Sequence, residues 1–112
     1  MVVKFIDRKN DIRDALFQVA KNGLPMTYES FGQIVGIWRM RGAKDLLDLI
    51  AKEEKAKREP DVTYMLHSAA TKYPSQIGGQ PAKPPTAEQM RLARKEMQAV
   101  INRHCPGAVN PY

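Results

Sequence analysis

Two groups of residues have the types and spacing to do chemistry, and in both that chemistry is anion binding. The first is Thr27-Tyr28 in "GLPMTYESFGQIVG". Thr27 opens a short apolar run and is placed to accept a hydrogen bond from a backbone N–H of the first helical turn. The run's N-terminus then presents positive backbone N–H groups to a phosphate, and Tyr28, at the first helical position, reaches the same phosphate. The second group follows directly: Arg39 and Arg41 flank Met40, and Lys44 comes one turn later. No acid interrupts until Asp45; Asp45 and Asp48 repel phosphates unless they face bases or solvent. Further along, Lys72 and Gln76 are placed to touch a nucleic-acid backbone. A plainer reading stands beside this one, in which Tyr28 only packs against its neighbours in a helical bundle.

Other chemistry is poorly supported. Cys105 adjoins His104 in "RHCPG", but neighbours in sequence rarely make a Cys–His pair, and the thiol follows the final helix. Two histidines and one cysteine lack metal-site spacing, so His67 reads as a wing or core histidine. "QIGGQ" lacks the lysine and following helix of a phosphate-binding loop. Met90 and Met97 read as part of a core stripe. No enzyme activity, metal or cofactor is expected.

With 112 residues, 43% of them hydrophobic, the chain has material for one core and reads as a single domain, 1–112. A formal net charge of +6 favours a polyanion, nucleic acid before anionic membrane. A single cysteine forbids an internal disulfide and fits a reducing compartment. No apolar run approaches a membrane span, and "MVVKFIDRKND" is too short and too charged for a secretory signal, which reads as cytoplasmic.

The elements that must position these residues are read from periodicity. Ile12, Ala15, Leu16, Val19 and Ala20 share one face of a first helix over Asp11–Lys21, with Asn10 as N-cap and Asn22-Gly23 as the stop. Arg13 falls on the opposite face and reads as solvent-exposed. Before it, "VVKFI" reads as a short strand or extended arm rather than a preceding helical turn. The second helix opens at Thr27, has Phe31, Ile34 and Val35 on one side, and closes at Gly36. The third starts near Gly42 or Ala43 and runs to about Arg58, with Ala43, Leu46, Leu47, Ile50 and Ala51 as its apolar face and "AKEEKAKRE" as a mixed-charge solvated face before Pro60. Val62, Tyr64 and Leu66 alternate with Thr63, Met65 and His67, a period of two that predicts a short hairpin or wing turning at Tyr73-Pro74 and Gly78-Gly79. A proline-stiffened connector, 81–85, leads to a last helix over 86–104. Thr86 and Gln89 give that helix a capping box, and Met90, Ala93, Met97, Val100 and Ile101 give it a stripe. The residues after Pro106 show no pattern.

Three helices with a short middle one, followed by a hairpin, form the helix-turn-helix plus wing plan, in which the second helix braces a third that meets the DNA major groove. The expected fold class is therefore α+β and mostly helical: a winged-helix-like helix-turn-helix core over 1–80 with a short hairpin, plus an extra C-terminal helix. The expected partner is duplex DNA. The rival reading is a protein-interaction or regulatory module, of phage or mobile-element type, whose last helix docks a protein partner or a second copy.

"GLPMTYESFGQIVG" resembles the "G-x-x-x-TYG-x-h-A-x-h-h-G" segment (h, apolar) of the DNA-binding domain of alkylguanine-DNA alkyltransferases and alkyltransferase-like proteins. "RMRGAKDLLDLI" is similar to the arginine-containing lead into that family's longer helix, and "TYMLHSAATKYPSQIGG" looks like its "P-C/W-H-R-V-h...G.h.G" hairpin. The resemblance spans roughly Lys21 to Gly79. It implies a winged helix in which the tyrosine, here Tyr28, contacts a phosphate and the arginine, here Arg41, enters the duplex in place of a flipped base. The chain departs from the pattern in four places. Leu66 precedes His67 where the family has its acceptor cysteine, Ser68 replaces the following arginine, Gly32 stands where alanine is usual, and Glu29 follows the tyrosine instead of glycine. The resemblance therefore implies a diverged DNA binder without alkyl transfer, in which Gly32 is a harmless exchange.

Overall fold

The computed structural model describes residues 3–37, 40–67 and 86–110. The described residues are mostly helical with one small parallel sheet, an α+β architecture. Helix α1, Lys9–Asn22, buries Ile12, Leu16, Val19 and Ala20, the stripe its periodicity predicts. Gly23 ends it at φ 71°, and its N–H donates to the Ala20 carbonyl at 3.0 Å. A side chain would be strained there, and its Cβ would also lie 3.0 Å from the Ala108 Cβ and 3.1 Å from the Cys105 Sγ. The start of α1 differs from expectation. Asn10 lies inside the helix rather than capping it, because a 3-10 turn, Ile6–Arg8, runs straight into α1 and Arg8 takes the cap position without a side-chain bond. The expected strand at "VVKFI" is absent over its described residues: Phe5 adopts φ 64°, and turn bonds link Ile6 N–H to Val3 and Arg8 N–H to Phe5. Val3 and Phe5 pack on the core while Ile6 stays exposed.

Strand β1, Met26–Thr27, leads directly into helix α2, Tyr28–Val35. The Thr27 hydroxyl accepts from the Ser30 N–H at 3.1 Å, as its position predicts. Gly36 closes the helix at φ 76°, and the Ile37 N–H donates back to the Gly32 carbonyl at 2.8 Å. The buried face is Phe31 and Gly32; Ile34, expected beside Phe31, is 63% exposed. Gly32 is what lets α2 touch the approach to the next helix. A Cβ there would lie 2.6 Å from the Ile37 carbonyl oxygen and 3.2 Å from the Met40 Cγ. The alanine usual in the resembling family is therefore not a harmless exchange in this chain. Gly32→Ala is expected to destabilise the protein by about 1–3 kcal/mol, as overpacking does, read by urea denaturation; an unchanged midpoint would show that the Ile37 turn yields freely.

A 3-10 turn, Met40–Ala43, precedes helix α3, Lys44–Ala56. Ala43, Leu46, Leu47, Ile50 and Ala51 are all buried, as the periodicity predicts. The helix ends short of Pro60 through Arg58, at φ 59°, after which the Glu59 N–H returns to the Glu54 carbonyl at 2.9 Å. The charged face is not uniformly solvated. Glu54 is buried, 3.7 Å from the Arg13 Nε, and Glu53 binds Lys9 at 2.8 Å and also Arg13. Arg13 is thus an interhelical cation rather than a solvated one. At about 100° per residue it sits on the flank of the α1 stripe, beside Ala20, and not opposite it.

Alternation does not make a strand over 62–65. Val62–Met65 is a 3-10 turn, because Asp61 caps it by accepting from the Thr63 N–H at 2.9 Å and the Thr63 hydroxyl at 2.5 Å. Val62, Met65 and Leu66 are the buried apolar positions, a helical spacing. Only Leu66–His67 is extended, as strand β2, and it pairs parallel with β1: Met26 with Leu66 and Thr27 with His67. The remainder of the expected hairpin and the connector 81–85 lie outside the described residues. Helix α4, Ala87–His104, has the predicted capping box, with Thr86 and Gln89 bonded reciprocally at 2.9 and 3.1 Å. It packs Ala93, Met97, Val100 and Ile101 inward. The segment after it folds back along α4, where the Asn110 N–H donates to Gln98 Oε1 at 3.1 Å. Side chains from α1 to α4 and from the turns at Met40 and Val62 join one apolar cluster. Among the described residues no helix is long and apolar enough to cross a membrane.

Candidate nucleic-acid interface

The site is built around the start of α2. The Thr27 hydroxyl is committed to capping, accepting from the Ser30 N–H and donating to the Ser30 hydroxyl at 2.9 Å. Tyr28 is the first residue of α2, half-buried, with its ring against the core. Its packing is therefore that of the plainer reading, at the position that the phosphate reading requires. Glu29, exposed in the first turn, complements the helix dipole and opposes an incoming phosphate. It is the feature of this turn that the sequence reading left out of its electrostatics.

The approach to α3 holds the second group. The backbone of Arg41 lies in the Met40–Ala43 turn, and its side chain is outside the described part, as is the whole of Arg39. Lys44 and Asp48 form an ion pair at 3.4 Å, so this lysine meets an anion only by sharing it with a carboxylate. Asp45 is exposed beside them. The structure adds a cation that periodicity gave no sign of. The turn at Phe5 lays the exposed Lys4 side chain against Gly42, and a Cβ on Gly42 would lie 3.2 Å from the Lys4 Nζ. The same N-terminal stretch is fastened to α2 by Arg8, whose guanidinium donates to the Val35 carbonyl at 2.6 Å.

The β1–β2 ladder places the second half of the site beside the first. Thr27 stands in register with His67, so the two segments that carry the family resemblance adjoin. Leu66, which the resemblance alone sets at the acceptor-cysteine position, is fully buried, and His67 is buried beside it. Ser68, Lys72 and Gln76 fall outside the described residues. Cys105 is half-buried after α4, while the His104 ring faces Phe17 at 5.3 Å between centroids. Burial, followed by the positive charge of Arg103, holds the His104 pKa below its ordinary value. Among the described residues no three His, Cys, Asp or Glu side chains gather to hold a metal ion. No protein-family model, curated protein or solved structure matches this chain, so the reading of its site rests on these residues and their geometry.

Proposed function

We propose that this chain is a small non-enzymatic DNA-binding protein of winged-helix-like plan, acting in the cytoplasm and gripping duplex phosphates where α2 begins and where the chain enters α3. The observation that carries the reading is the contact at Gly32. It seats α2 against the turn into α3 as a brace seats a recognition helix, with the Tyr28 end of α2 beside β2. The charge supports it: the formal net charge is +6, the segment 68–80, which would complete the wing with Lys72 and Gln76, contains no acid, and the connector 81–85 adds Lys83. Leu66 offers no nucleophile for alkyl transfer. The rival reading, docking through α4, is weakened because that helix spends its stripe on its own core and leaves Leu92 as its exposed large apolar side chain.

Binding of wild type, Tyr28→Phe and Arg41→Ala to one duplex across a salt series tests the proposal. Tyr28→Phe is expected to weaken binding by about 0.5–1.5 kcal/mol, one hydrogen bond, and to leave the salt slope alone. Arg41→Ala is expected to weaken it more and to lower the slope by about 0.9. If Arg41 enters the stack, discrimination among duplexes changes as well. Two variants that bind and melt like wild type would reduce α2 to a brace.

A further inference from the structure

The far end of α3 carries a cluster of charge whose balance is decided by the fold. Residues 52–59 contain Lys52, Lys55, Lys57 and Arg58 against Glu53, Glu54 and Glu59, and read in sequence as a nearly neutral face. The structure hands the three acids to cations of other elements. Glu53 goes to Lys9 and Arg13 of α1, Glu54 to Arg13, and Glu59 to Arg103 of α4 at 2.9 Å. Lys57 keeps a 3.8 Å contact with the buried Glu54 while its own side chain stays largely exposed. Lys52, Lys55 and Arg58 are exposed, and no ion pair among the described residues, which include every Asp and Glu of the chain, involves them. Complementing the helix dipole accounts for a cation in the last turn, such as Lys55, but not for Lys52 a turn earlier.

At about 100° per residue, Lys44, Lys52 and Lys55 share the outward side of α3. Along the axis Lys52 lies roughly 12 Å and Lys55 roughly 16 Å from Lys44. The B-DNA major groove is about 12 Å wide. We infer that α3 crosses the groove, so that Lys52, Lys55 and Arg58 bind phosphates of the strand opposite the one met at the Lys44 end. The inference rests on the duplex-binding proposal above and extends it from one strand to two. It also gives the acids between the two basic ends a place. Asp48, paired with Lys44 at 3.4 Å, and the neighbouring Asp45 lie over the open groove between the two rows of phosphates.

The test is a Lys52→Gln/Lys55→Gln double variant, with Lys21→Gln/Lys95→Gln as a control that removes the same charge from α1 and α4. Wild type and both variants are titrated with one duplex over a salt series, and their melting temperatures are compared to confirm folding. The Lys52/Lys55 variant is expected to lower the salt slope by about 1.8, two phosphate contacts, and the control by far less. On the isolated single strand, which offers no second backbone, the same double substitution is expected to lose most of its effect. An unchanged slope in the Lys52/Lys55 variant, with wild type still binding steeply, overturns the second contact and leaves the duplex proposal intact. Equal drops in both variants trace the effect to bulk charge and also overturn it. Equal losses on duplex and single strand overturn the groove crossing. A wild type that does not bind duplex overturns the inference together with the proposal it rests on.

Discussion

Replacing Arg13 with alanine is expected to destabilise the protein by about 3–5 kcal/mol, the range for breaking a buried ion pair by removing one partner. Glu54 is 2% exposed, and neither its Oε1 nor the Arg13 Nε has a hydrogen-bond partner although they lie 3.7 Å apart. The attraction between them is thus Coulombic, made inside the α1–α3 contact where solvent screens it little. Without Arg13, the cation left to Glu54 among the described residues is Lys57, 3.8 Å away on a side chain that is 57% exposed and well screened by solvent. Glu53 would retain Lys9. Chemical denaturation of Arg13→Ala and of the double variant Arg13→Met/Glu54→Leu decides the matter. The double variant is expected to recover most of the loss, since apolar groups of similar volume often replace a buried pair at little cost. A loss under about 0.5 kcal/mol in the single variant, the size usual for a surface position, would return Arg13 to solvent.

Leu16→Ala is expected to cost about 2–5 kcal/mol. Leu16 lies mid-way along α1 with no exposed surface, and α1 packs on α3, α4 and the Val62–Met65 turn. The cavity would therefore open where several elements meet and none can collapse into it alone. The denaturation midpoint should fall with the m-value unchanged. A loss below about 1 kcal/mol would mean that neighbouring side chains refill the site. The sequence reading set Leu16 and Arg13 at opposite extremes; in the structure both are expected to be costly, one for its volume and the other for its charge.

What the sequence told correctly is what depends on a few neighbouring residues. The stripes of α1, α3 and α4, the caps at Thr27 and Thr86, and the glycine stops at Gly23 and Gly36 are each written within one or two helical turns. The failures are long-range or compete with a local pattern. Glu54 stands in a run that looks solvated, and only the approach of α1 buries it. The alternation from Val62 to His67 points to a strand, but the Asp61 side chain turns it into a 3-10 helix. Ile34 completes an apolar pattern and yet points outward, because Gly32 brings the backbone of α2 too close to the Ile37 turn for that face to rotate inward. Of the candidate site, Thr27 and Tyr28 were legible as the head of a helix. Lys4 was not, because a left-handed turn at Phe5 is what carries it to Gly42.

The two-residue ladder between β1 and β2 has a consequence for the order in which the protein assembles. Parallel strands cannot be joined by a tight turn, and here α2 and α3 both lie between the partners. The ladder therefore cannot nucleate folding; it closes only after the intervening helices have found each other and the cost of closing that long loop has been met. Since β1 runs without a break into α2, the head of that helix is anchored only once this long-range pairing has formed. The same bonds should be among the first to open in the native state, so that amide exchange at Thr27 and Tyr28 proceeds through local fluctuations while the middle of α1 waits for global unfolding. A binding surface placed there would yield locally, adjusting to the spacing of phosphates without disturbing the core behind it.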